Sequence, residues 1–193
     1  MSRLRAVLPS VVKKFAWNLK YGVLGYPVFV APEDVVCYFS SRLSEQRSIL
    51  DLGCGRGSLL RALRESGWRG NYCGVDISKQ AIRDARRFAD QRSTWMVSNF
   101  ESFHSPIKWD TIAMIESVCY VSLDGVPDFL AGLISMLDDK GRILIRLHDR
   151  SEFSDYIELI YKLYPTTQKV AEHLFCITAA APAAATDHTG PTS

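Results

Sequence analysis

Asp51-Leu52-Gly53-Cys54-Gly55-Arg56-Gly57 is the stretch on which the fold of this chain turns. It closes the run Ser48-Ile49-Leu50-Asp51-Leu52, which has the length and apolar character of a buried strand. It opens a helical segment from about Gly57, with Leu59, Leu60 and Leu63 on one face and Gly67 as its stop. Glycines at such a seam let the backbone turn tightly and admit a ligand without a Cβ clash.

Downstream the same alternation repeats. Asn71 to Ile77 reads as a second strand, and Ser78 can cap a helix whose inner face is Ala81, Ile82, Ala85 and Phe88. Thr94 to Val97 and Asp110 to Ile115 read as the third and fourth strands. A helix from about Gly125 shows Val126, Phe129, Leu130, Leu133 and Leu137, with Pro127 in its first turn, where no intrahelical donor is lost. Gly141 marks a turn, Arg142 to Leu147 a fifth strand, and Phe153, Tyr156, Ile157 and Ile160 a further helix that stops before Pro165. Nearly continuous apolar strands between amphipathic helices imply a doubly wound, mostly parallel α/β sheet with helices on both faces. Residues 166–179 hold no helix, so any strand pair there is expected to be an antiparallel hairpin at the C-terminal edge.

Upstream, Pro32 opens a helix with Val35, Val36, Phe39 and Leu43 on one side. Leu4, Val7, Val11, Val12, Phe15 and Leu19 also repeat at helical spacing, with Lys13, Lys14 and Lys20 mostly elsewhere, and residues 21–30 read as a loop. The expected organisation is an N-terminal helix and lid-like segment over 1–30, one domain over 31–179, and a tail over 180–193. That tail, of Ala, Pro, Thr and Gly, cannot offset the entropy of ordering.

The 193 residues suffice for one domain with a sizeable core. A formal net charge of +2 forces no nucleic-acid or acidic partner. Cys37, Cys54, Cys73, Cys119 and Cys176 are odd in number and scattered, unlike a disulfide framework or a zinc site, so a reducing, cytoplasmic setting is expected. No run approaches the roughly 20 apolar residues of a membrane span, and Lys13 and Lys14 interrupt any secretory signal.

In an open parallel sheet ligands bind beyond the carboxyl ends of the strands, at the point where strand order reverses. Asp76, at the end of the second strand, can there accept both hydroxyls of a ribose. Gly53, Gly55 and Gly57 alternate one residue apart, unlike the dinucleotide fingerprint, whose last two glycines are two residues apart. Asp51, just before the turn, would repel a pyrophosphate and suit the ammonium of an amino acid. An adenosine joined to an amino acid fits both carboxylates.

The chain resembles class I S-adenosylmethionine-dependent methyltransferases, of the small-molecule type, over about residues 33–147. The Asp51–Gly57 stretch is similar to their first motif and Gly74-Val75-Asp76-Ile77-Ser78 to their second. Trp109 to Ser117 is similar to their fourth-strand motif, and Leu137 to Ile145 to the approach to strand five. The resemblance implies a Rossmann-like methyltransferase fold with S-adenosylmethionine as cofactor, S-adenosylhomocysteine as product, and no metal. It places Asp51, Gly53, Cys54, Gly55, Asp76, Ile77 and Ile115 at the cofactor. Asn99 stands where many relatives carry an aspartate near the adenine amine, and Phe100 would pack on the adenine face. Cys54 is read as a small filler and not as a nucleophile.

Three residues near the ends of strands four and five are candidates on the acceptor side. His148 could serve as general base, Glu116 could orient the acceptor, and Tyr120 faces the same crevice. Trp17 and Tyr21 could help close the site. The Asn/Asp-Pro-Pro-Tyr/Phe motif used on bases or glutamine is missing, with Glu116-Ser117-Val118-Cys119 in its place, which argues against DNA. The expected acceptor is a small molecule methylated on oxygen or nitrogen. An RNA or protein methyltransferase and a catalytically silent partner subunit stay open as alternatives.

Overall fold

The computed structural model describes residues 8–22, 30–42, 47–148 and 151–178. Helices α1 (Ser10–Gly22) and α2 (Glu33–Ser40) come first, then strand β1 (Ser48–Leu52), helix α3 (Ser58–Glu65), strand β2 (Asn71–Asp76) and helix α4 (Lys79–Ala85). Strands β3 (Ser93–Val97) and β4 (Trp109–Ile115) follow, then helix α5 (Val126–Ser135), strand β5 (Leu137–Arg146) and helix α6 (Ser154–Leu163). The short β6 (Gln168–Lys169) and β7 (Leu174–Thr178) end the described fold. The strands form one sheet in the order β3-β2-β1-β4-β5-β7-β6. Its first five strands are parallel, and β7 and β6 add antiparallel at the edge. The doubly wound α/β sheet with an antiparallel C-terminal edge is therefore present.

Side chains alternate across a strand, so each apolar strand feeds two layers. Leu50, Leu52, Ile112, Met114, Ile143 and Ile145 pack with Leu130 and Leu133 of α5 and Ile157 and Ile160 of α6. Their neighbours Ile49, Tyr72, Ala113 and Leu144 face the other way, against Phe39 of α2, Leu60 and Leu63 of α3, and Ile82 of α4.

Some boundaries move. Leu137 belongs to β5 and not to the preceding helix, because it pairs with Trp109 across a register shift in β4. Phe88 is not on the inner face of α4. The helix ends at Ala85 and tightens into a 3₁₀ turn over Arg86–Phe88, which leaves Phe88 partly exposed beneath the Arg61 guanidinium. Leu4, Val7, Leu43, most of the 21–30 loop and the 180–193 tail lie outside the described residues.

Helix α1 inverts the expected arrangement. Its apolar stripe of Val11, Val12, Phe15 and Leu19 is exposed, while Lys13 is buried. Lys13 Nζ donates to Glu101 Oε1 at 2.7 Å and to the Tyr120 carbonyl at 2.8 Å. Asn18 Oδ1 accepts from Ser78 Oγ at 2.9 Å and from the Gln80 amide at 3.3 Å. Arg56 donates to the Tyr21 carbonyl at 2.8 Å. Periodicity tells which residues share a helical face, not which face meets the body, and here the body offers polar partners.

Gly57 precedes α3 at φ +78°, and a Cβ there would lie 2.6 Å from the Trp95 ring. Gly67 has φ +91° with nothing within 4 Å of such a Cβ. Gly57→Ala should therefore cost about 2–4 kcal/mol, from left-handed strain plus overpacking, and Gly67→Ala only about 1 kcal/mol. Scanning calorimetry compares the two, and equal losses would show that the Trp95 contact adds nothing.

Candidate active-site crevice at the strand-order reversal

From β1 the chain winds outward through β2 and β3, then returns to lay β4 on the other side of β1. The loops after β1 and β4 thus leave in opposite directions and open a crevice between them. Gly53 and Cys54 amides donate to the Val75 carbonyl at 2.8 and 3.1 Å, which bends the turn over β2. Gly53 and Gly55 hold φ of +87° and +53°. A Cβ on Gly53 would fall 2.6 Å from Ser117 Cβ, so the turn fits only without one. Ser117 Oγ in turn donates to the Leu52 carbonyl at 2.6 Å, joining the two loops.

Two carboxylates stand at the ends of the neighbouring strands. Asp76 accepts from the Gly55 amide at 3.0 Å through Oδ2 and from the Ser78 amide at 2.8 Å through Oδ1. Burial still outweighs these donors and pushes its pKa up to about 6. Asp51 accepts from Tyr72 Oη at 2.5 Å. Burial, offset by that hydrogen bond and reinforced by the charge of Asp76, pushes its pKa up to about 7. A cationic ligand group in the crevice would draw both back toward the ionised form. Between them, burial and the Asp76 and Asp51 charges push the Cys54 thiol well up, which suits a filler and not a nucleophile.

The crevice is open to solvent, and with its mouth it holds about 1100 Å³ of space free of protein atoms. Every sequence-derived cofactor candidate lines it. Asp51, Gly53, Cys54 and Gly55 come from the first turn, Asp76 and Ile77 from the second. Asn99 and Phe100 follow β3, and Ile115 ends β4. Asn99 also caps the next turn, its Oδ1 accepting from the Glu101 amide at 3.2 Å. Sequence reasoning missed Lys13, Arg56, Glu101 and Ser117, which line the same space. Ser117 had a readable signal, since it is the last residue of the fourth-strand motif. The Lys13–Glu101 pair spans 88 positions and had none.

Of the three residues expected on the acceptor side, Glu116 and Tyr120 line the crevice, and His148 does not. Glu116 has φ 58°, the one positive value at a non-glycine among the described residues. Such strain persists only where the surroundings enforce it. Arg146 Nη1 donates to Glu116 Oε1, and Arg146 Nε to both oxygens of Asp34 at 2.9 and 3.0 Å. His148, mostly exposed, lies with its backbone amide at 3.2 Å and its Nδ1 at 2.5 Å from Glu116 Oε2. Trp17 stacks on Tyr21 at 5.5 Å and meets Tyr120 edge-on at 5.4 Å, forming an aromatic wall. Among the described residues no group of side chains could hold a metal ion.

A family model described as a methyltransferase domain matches residues 28–183. The protein-lysine N-methyltransferase EFM4 of Saccharomyces cerevisiae is 28% identical over 121 residues, covering 54% of this chain and 52% of the yeast protein. Among solved structures, the DhpI complex with S-adenosylhomocysteine superposes with a TM-score of 0.62 at 15% identity, covering 88% of this chain and 95% of the other. The N-methyltransferase NodS of Bradyrhizobium japonicum WM9 gives 0.59 at 14% identity, covering 75% and 83%. A plantazolicin methyltransferase gives 0.56 at 18%, covering 81% of this chain and 63% of that one. At these identities the superpositions establish the fold. The chain spans about half the length of the yeast relative.

Asp51 and Asp76 both have folded-state pKa values above the ordinary carboxylate value of 3.8. Between about pH 4 and 7 the folded state therefore retains protons that the unfolded chain has released, and their contribution to stability falls as pH rises through that window. Asp51→Asn keeps an acceptor for Tyr72 but cannot ionise. Urea unfolding of the ligand-free protein should show the variant gaining on the wild type from pH 4.5 to 8. A pH-independent difference would contradict the burial of this charge.

Proposed function

The chain belongs to the methyltransferase-domain family, and on that premise we propose that it transfers the methyl group of S-adenosylmethionine to a small-molecule oxygen or nitrogen. The supporting observation is the pair of buried carboxylates, Asp51 and Asp76, that flank one glycine turn at the strand-order reversal. Asp76 keeps lone pairs beyond its two backbone bonds, and these would accept the ribose hydroxyls. Asp51 would face the methionine ammonium, while Phe100, Ile77 and Asn99 flank the adenine and Ile115 the sulfur side. Gly53, Cys54 and Gly55 supply the small, open backbone beside which the ligand lies.

When bound, the cofactor supplies an electrophilic methyl on a sulfonium. The protein's part is to align the acceptor lone pair with the methyl–sulfur bond and keep water out. Trp17, Tyr21 and Tyr120 form the excluding wall. Glu116, which lines the crevice and is held by Arg146, would receive the proton the acceptor gives up, and His148, in contact with its other oxygen from behind, would steady that carboxylate. Five free cysteines suit a cytoplasmic setting. A second reading, a protein side chain as acceptor, is favoured by the sequence match to the yeast lysine methyltransferase.

Calorimetric titration should show binding of S-adenosylmethionine and S-adenosylhomocysteine. Asp76→Ala should weaken it by about 1–3 kcal/mol, the cost of unpaired polar groups. Tight NAD binding with no response to either ligand would sink the assignment. For the acceptor side, extracts incubated with labelled cofactor identify a substrate, small molecule or protein. With it in hand, Glu116→Gln should reduce turnover by about a hundredfold or more and His148→Ala by about tenfold, while cofactor affinity holds. Tyr120→Phe should lower turnover less. Normal rates in all three variants would remove these loops from the chemistry.

A further inference from the structure

Helix α1 shows its two faces in reversed roles. Lys13, Trp17 and Tyr21 line the crevice, and Asn18 ties the helix to the start of α4. The outward stripe is apolar: Val11 is 76% exposed and Phe15 70%, with Val12 and Leu19 also exposed. A lone exposed apolar residue is ordinary, but four on one short helix mark a surface meant for a partner. The charge beside the stripe is of one sign. Helix α1 carries no Asp or Glu; its Lys13 points inward to Glu101, while Lys14 is exposed and Lys20 half-buried. Helix α4 and its 3₁₀ extension, against which α1 packs, add exposed Lys79, Arg83, Arg86 and Arg87. The single acid there, Asp84, is engaged by Arg56 at 3.1 Å.

We propose that the outward face of α1 docks on an anionic lipid surface, with Val11 and Phe15 entering the headgroup boundary and the surrounding cations meeting acidic headgroups. An apolar stripe with a cationic border, whose one acid, Asp84, is paired with Arg56, matches both layers of such a surface. Nucleic acid would satisfy the cations and leave the stripe wet. A second copy of the chain would bring like charge against like across the contact. Because the inner face of the same helix walls the crevice, docking also holds that wall in place. The proposal does not depend on which reaction the crevice performs.

The test is co-sedimentation of the full chain with vesicles of mixed phosphatidylglycerol and phosphatidylcholine, against phosphatidylcholine alone, at low and high salt. Partitioning into the anionic vesicles is expected to be at least about tenfold stronger and to weaken with salt. The double change Val11→Asp with Phe15→Asp should reduce it at least about tenfold, and Lys14→Glu about fivefold or more. Melting temperatures should stay unchanged, since these positions are exposed. Failure to pellet with anionic vesicles overturns the proposal, as does full binding by the double variant. Self-association in vesicle-free sedimentation velocity, abolished by the same substitutions, would reassign the face to a second copy and equally overturn it.

Discussion

A hydrogen bond from the Gly55 amide to the Asp76 carboxylate ties the turn after β1 to the end of β2, and much of the crevice follows from it. A buried carboxylate is tolerable only where N–H groups converge on it, so the turn must aim its amides toward β2. That aim requires left-handed backbone at alternating positions, which glycine provides. The vacated Cβ spaces are then used. Ser117 fills the one beside Gly53, and the Trp95 ring covers those of both Gly57 and Gly74. A tryptophan from the edge strand β3 thus reaches across β2 to seal the start of α3.

The sheet and the glycine-turn side of the crevice were legible in the sequence because both rest on local signals. Apolar runs of strand length, helical stripes and a glycine turn of fixed spacing each report on a few neighbouring residues, and strand-order reversal does the rest. Asp51 and Asp76 could be placed for that reason, and Asn99 and Phe100 through the resemblance of the motifs around them. Helix α1 could not, because its orientation depends on Glu101 and the Tyr120 carbonyl, far away in the chain. The ends of α4 and α5 moved for related causes: a 3₁₀ tightening in one, and long-range pairing of Leu137 with Trp109 in the other.

The rim around Glu116 is organised by charge where the glycine turn is organised by backbone. Asp34 of α2 grips Arg146, Arg146 grips Glu116, and Glu116 holds His148. The chain of contacts joins a helix before the sheet to residues at the ends of β4 and β5. It also explains how Glu116 endures a positive φ: its side chain is fixed at both oxygens, so relaxing the backbone would break the Arg146 ion pair and the His148 hydrogen bonds. Sequence reading found Glu116 and His148 as neighbours of one crevice. The structure makes Glu116 the hub and sets His148 behind it.

The distribution of thiols has a practical corollary. Cys37 on α2 is exposed, while Cys54, Cys73, Cys119 and Cys176 are buried. Burial raises the Cys54, Cys73 and Cys176 thiols, so their reactive thiolate forms are scarce in the folded state. A maleimide dye therefore meets one accessible cysteine in the native protein and five in the unfolded chain. Labelling stoichiometry becomes a built-in clock for opening of the core, and a single fluorophore on α2 can be placed without engineering a site.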